Sequence, residues 1–235
     1  MGNDLVRRAT AEGVGTAFLV TIVVGSGIAA QRLSPGDVGL QLLENSIATG
    51  AGLVALILAF GPVSGAHFNP VVTLADRLLG GTTTRDSAVY MIVQVAGACV
   101  GAVVANLMFD LPAVTLSTHT RSSSGLWLGE VVATFGLLLV ILGVVRSGRA
   151  SAAAFAVGGY IAAAYWFTSS TSFANPAVTI GRSLTNTFAG IAPSSVPGFI
   201  VAQIAGALGA IALGHYLNPS LPAVDLIVPH DTEPS

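Results

Sequence analysis

A chain of 235 residues that is 53% hydrophobic and 9% charged is far from the roughly 25% charged share of soluble domains, and its composition is that of a membrane protein. All nine basic side chains are arginines, and a net charge of −2 leaves no basic footprint for nucleic acid. The single cysteine, Cys99, excludes an intramolecular disulfide. Lying among small apolar residues, it reads as a packing residue rather than a reactive thiol.

Residues 1–10 are short and polar, and the apolar run that follows continues to Ala30. That is too long for a removable signal, so 9–30 is expected as the first membrane span. A second span is expected over 46–63, broken by Gly61-Pro62. Asn69 is a strong helix-capping residue and Pro70 suits a first helical position, so a helix starts there and ends before Gly80-Gly81. At 1.5 Å per residue it covers roughly half of a bilayer crossing. Asp76-Arg77 within it reads as a solvated pair. Span three follows at 87–109, a polar connection at 110–124, span four at 125–145 and span five at 150–167. Asn175-Pro176 opens a second half-helix, expected to reach 188, and span six ends at 217. The expected organisation is one membrane domain over 1–217, with a flexible tail at 218–235.

The two halves, about 9–109 and 125–217, share landmarks in the same order. Glu12 with Thr16 answers Glu130 with Thr134, Gly52 answers Gly158, Asn69-Pro70 answers Asn175-Pro176, and Gln94 with Gly97 answers Gln203 with Gly206. Three spans per half force the second half to enter the membrane in the opposite sense, an inverted repeat. The fold class is therefore all-α: six transmembrane helices plus two re-entrant half-helices whose N-termini meet near the midplane. Six arginines fall on one side of this topology and Arg32, Arg121 and Arg182 on the other, which favours cytoplasmic N- and C-termini.

Two facing helix N-termini concentrate unsatisfied N–H donors and positive partial charge, and so disfavour cations and protons. Each cap asparagine spends its oxygen on backbone, leaving its NH₂ free to donate into the gap. A small neutral solute with lone pairs suits such a site. Glu12 and Glu130 read either as braces for the re-entrant segments or as proton-relay groups. His67 has no second ligand at metal spacing and reads as structural or pore-lining. No nucleophile, base and orienting group converge, so no enzyme, metal or cofactor is expected.

The motifs Asn69-Pro70-Val71 and Asn175-Pro176-Ala177, with Ser64-Gly65-Ala66-His67-Phe68 before the first and a glutamate near the start of each half, resemble the aquaporin and glycerol-facilitator (major intrinsic protein) family. The resemblance implies one pore per subunit, a homotetramer in the lipid bilayer of the cell membrane, and Glu12 and Glu130 accepting hydrogen bonds from re-entrant backbone. Val71 replaces the usual alanine, a minor departure. The larger one is Val178, where the family usually places an arginine that narrows and charges the selectivity filter. Counted without gaps, the other filter positions are Thr49, Ala163 and Ser172, which implies a wide, uncharged constriction. The resulting reading is a passive channel for water, glycerol-like polyols and neutral metalloid hydroxides such as arsenous acid, excluding protons and ions. The alternatives are a secondary transporter coupled through Glu12 and Glu130, and a non-conducting structural member of the fold.

Overall fold

A computed structural model describes residues 2–217, and the expected tail lies outside them. Among the described residues there is no strand; the elements are α1 (Gly2–Leu33), α2 (Val38–Ser64), α3 (Pro70–Leu78), α4 (Thr84–Met108), α5 (Ser124–Arg146), α6 (Ala153–Phe167), α7 (Pro176–Arg182) and α8 (Val196–Leu217). Six of the helices are long and apolar enough to cross a bilayer, and α3 and α7 are short. Outward-facing side chains such as Phe18, Ile92, Leu128 and Val201 are exposed, as suits a lipid solvent.

Helix starts follow local chemistry. The side chains of Asp37, Thr83 and Ser123 accept from Leu40, Asp86 and Leu126 N–H groups at the heads of α2, α4 and α5. Two expected boundaries are corrected. Gly61-Pro62 does not break α2, which continues to Ser64 and stops at Gly65, whose φ of 84° is the left-handed cap glycine tolerates. Pro62 lies in the last turn of α2 and lacks the N–H that would otherwise bond the Leu58 carbonyl. The second half-helix ends at Arg182, not 188. Beyond it the Ser183 and Leu184 carbonyls accept from Ser117 and Thr115 N–H groups of the α4–α5 connection, and this pairing replaces further helical bonds. Asp76 is buried against Gly81, while Arg77 stays exposed and donates to Thr84. They do not form the solvated pair expected.

Helices pack most extensively as α1 on α4, α5 on α8, α1 on α2 and α2 on α6. Small residues make these approaches possible. A methyl group at Gly97 or Gly101 would strike the Gly13 or Ala17 carbonyl of α1, and one at Gly206 would strike the Val131 carbonyl of α5. Across the α2–α6 crossing it is Gly50 that meets Gly158, whereas Gly52 faces Ile22 of α1. A Cβ on Gly158 would lie 2.6 Å from the Gly50 carbonyl oxygen, while one on the neighbouring Gly159 meets nothing within 4 Å. Gly158→Ala is therefore expected to destabilise the protein by about 1–3 kcal/mol through overpacking, and Gly159→Ala to be neutral. Thermal unfolding of both variants in detergent checks this; equal melting temperatures would contradict the crossing geometry.

Candidate functional site

The two segments that lead into the half-helices are irregular and buried. Ala66, Phe68, Ser172 and Ala174 all adopt positive φ between 48° and 52°, a conformation costing non-glycine residues about 1–3 kcal/mol each unless the surroundings enforce it. A carboxylate enforces it in each repeat. Glu12 accepts from Ser64 Oγ and His67 N on one oxygen, and from Phe68 N and Gln94 Nε2 on the other, at 2.7–2.9 Å. Glu130 accepts from Phe173 N and Ala174 N at 2.9 Å and from Gln203 Nε2 at 2.6 Å. The glutamines also donate to Thr73 and Thr179 of the half-helices. Both carboxylates have no solvent exposure.

Asn69 and Asn175 cap α3 and α7. Asn69 Oδ1 accepts from Val71 N, and Asn175 Oδ1 accepts from Ala177 N and Val178 N. Contrary to the expectation from sequence, their amide nitrogens are not left wholly free. Asn69 Nδ2 donates to the Ala174 carbonyl at 2.7 Å, and Asn175 Nδ2 donates to the Phe68 carbonyl at 2.8 Å. Each cap thus ties its own half-helix to the segment preceding the other. One N–H per amide remains, because an NH₂ carries two. Pro70 and Pro176 occupy the first helical positions, and Val71 and Ala177 follow them, all but Pro70 buried.

Both asparagines line a lumen. Its walls come from helical stripes spaced by four residues: Thr49, Leu53 and Ile57 on α2; Leu137, Ile141 and Val145 on α5; Val157, Ile161 and Tyr165 on α6. Leu19 and Val23 of α1 line it at the positions that answer Leu137 and Ile141. His67 lines it too, with Nδ1 3.1 Å from Thr73 Oγ1 and its ring edge-on to Tyr90. Among the described residues no group of three His, Cys, Asp or Glu could hold a metal.

Of the four positions read as a filter, Thr49, Ser172 and Val178 line the lumen. Ala163 does not: it is exposed on the outside of α6, two residues out of phase with the lumen stripe. Tyr165 stands inside instead, its hydroxyl 3.1 Å from Thr49 Oγ1. Nor is this end of the lumen uncharged. Arg182, one helical turn beyond Val178, is 2% exposed and lines it. Its guanidinium carbon lies 3.4 Å from the centre of the Phe173 ring, and Nε donates to the Ala189 carbonyl. Arg121, from the α4–α5 connection, lies against the same ring at 5.2 Å. Burial pulls the Arg121 guanidinium below its ordinary value, opposed by the charge of Glu130. The i+4 phase of Val157, Ile161 and Tyr165 was the available sequence signal for Tyr165; the position of Arg182 had none beyond its spacing from Val178.

Six spans and two opposed half-helices around a lumen define a membrane channel. The chain belongs to the major intrinsic protein family, whose sequence model matches residues 2–172, and this is the family that the paired Asn-Pro motifs resemble. It is 53% identical over 222 residues to the aquaglyceroporin AqpS of Rhizobium meliloti (strain 1021), covering 94% of each chain. It is 30% identical to the probable aquaporin AqpM of Archaeoglobus fulgidus, over 92% of this chain and 99% of that one. The fold matches the X-ray structure of the aquaglyceroporin from Plasmodium falciparum with a TM-score of 0.68 at 22% identity, covering 92% and 96% of the two chains. The family is one of channels, not enzymes.

The carboxylate geometry makes a specific prediction. Glu130→Ala would strip acceptors from the buried Phe173 and Ala174 N–H groups, at about 1–3 kcal/mol for each unsatisfied group, and Glu12→Ala would do the same at His67 and Phe68. Both variants should melt well below wild type in detergent. Normal stability with altered transport would instead favour proton-relay roles for the two acids.

Proposed function

We propose that the protein is a passive channel for water and glycerol-like solutes, extending to neutral metalloid hydroxides such as arsenous acid, and that it excludes protons and ions. The observation that carries this reading is the lumen passing between two half-helix N-termini, where Asn69 and Asn175 offer donors between aliphatic walls. Polyol hydroxyls can lie along such a path with their oxygens on the amides and their carbons on the stripes. Names of relatives point the same way, since one is an aquaglyceroporin and another a probable aquaporin. The transporter alternative loses ground because both oxygens of Glu12 and of Glu130 already accept hydrogen bonds, and neither residue lines the lumen. The constriction is proposed to comprise Thr49, Tyr165, Ser172, Val178 and Arg182. The chain is proposed to work as a homotetramer in the cell membrane, with cytoplasmic N- and C-termini and no cofactor.

Val178 is where a side chain could close this path. Adding a guanidinium there, next to Arg182, would fill the lumen and place a second fixed charge in it. Val178→Arg should therefore lower glycerol flux about tenfold or more, a barrier increase of about 1.4 kcal/mol, while retaining part of the water flux. Stopped-flow swelling of vesicles under water, glycerol, urea and arsenous acid gradients measures this in one preparation. A wild type that passes water and rejects all three larger solutes would sink the proposed constriction.

Proton exclusion is assigned to the positive field of the paired N-termini. Asn69→Asp or Asn175→Asp should speed collapse of an imposed pH gradient in proteoliposomes. Wild-type vesicles that lose the gradient as fast as vesicles treated with a protonophore would contradict the assignment.

A further inference from the structure

Three groups at the lumen mouth facing the α4–α5 connection lack the partners their chemistry asks for. Arg121 and Arg182 form no ion pair among the described residues. Each gives Nε to a carbonyl, Gly190 and Ala189 respectively, and their terminal nitrogens donate to nothing in the described protein. Ser172 is 3% exposed, lines the lumen, and its buried Oγ has no hydrogen-bond partner.

The arrangement is unfavourable as it stands. Two like charges share the Phe173 ring, and the buried one, Arg182, would ordinarily require pairing. The ring faces and the C-terminal end of α7 supply only partial compensation. Glu130 lies near but spends both oxygens on Phe173, Ala174 and Gln203. Arg182 borders both the lumen and a second hollow shared with Arg121 and Asn45. Two guanidiniums with free terminal N–H groups make the donor pattern that a planar or tetrahedral oxyanion accepts.

We propose that this mouth is a docking site for one small oxoacid monoanion, a carboxylate, sulfonate or singly charged phosphate, held by the terminal nitrogens of Arg121 and Arg182 with the Ser172 hydroxyl donating from the lumen side. The inference rests on the channel reading only in placing the anion at a pore mouth. A bound anion there stands over Val178 and Thr49, and so obstructs polyol entry.

The probe is methanesulfonate, which stays charged and does not cross bilayers as a neutral acid. Saturation-transfer NMR on its methyl signal, with the full chain in detergent, should show binding that chloride at equal ionic strength does not displace. Arg121→Gln and Arg182→Gln should each weaken it about tenfold, the loss expected on removing one charge-assisted partner. In proteoliposomes bathed on both sides, methanesulfonate should slow glycerol flux through wild type but not through Arg121→Gln. Arg182 is buried and its variant can fail to fold; Arg121→Gln, in a connection outside the spans, then decides alone. No methanesulfonate signal from a glycerol-conducting wild type, or an undiminished signal from Arg121→Gln, overturns the site. Arginine-dependent binding by a wild type that conducts no solute would uphold the site and overturn the channel reading.

Discussion

Backbone that is neither helix nor sheet is hard to hold in the middle of a membrane, because no water is at hand to satisfy its N–H and C=O groups. Residues 65–69 and 171–175 are such backbone, bent further by left-handed residues that are not glycine. The amides of His67 and Phe68 end on Glu12 and those of Phe173 and Ala174 on Glu130, and two of the segments' carbonyls end on Asn175 and Asn69. The remaining architecture serves that arrangement. The glutamines of α4 and α8 hold the carboxylates and the half-helix threonines together. The glycines of the α1–α4 and α5–α8 crossings bring those helices close enough for the glutamines to reach.

On this nearly symmetric frame the two ends of the lumen differ. His67 of the first repeat corresponds to Phe173 of the second, and two guanidiniums, of Arg121 and Arg182, lie against the Phe173 ring. An inverted repeat thus supplies matching half-helices and unlike mouths. The middle of the path depends on backbone dipoles and two amides, which every solute meets alike. At the mouth with the charges, Thr49, Tyr165 and Arg182 all line the lumen, and it is there that the proposed constriction lies.

What the sequence made legible is what local chemistry decides. Capped half-helices could be read from Asn-Pro pairs, and the repeat from glutamates, glutamines and glycines in the same order. Long-range contacts hid the rest. The end of α7 depends on Thr115 and Ser117, more than sixty positions away, and no propensity at 183–188 announces that pairing. Ala163 was misplaced because counting without gaps ignores the phase of a helix; Tyr165 continues the four-residue stripe from Val157 and Ile161. The asparagines were recognisable as caps, since a cap is a contact within one turn. That their amides also reach the opposite repeat follows only once the two halves face each other.

That reciprocal reach also bears on how the protein is made. Asn69 needs the Ala174 carbonyl, and the Phe68 carbonyl needs Asn175. When residues 1–110 have left the ribosome, the first re-entrant segment has its carboxylate but not its cross-partner. It must wait, incompletely bonded, while some sixty further residues emerge, a matter of several seconds at about 5–20 residues per second. The first half therefore cannot mature as an independent unit during membrane insertion, and the final closure of both half-helices is one event that awaits the arrival of the second.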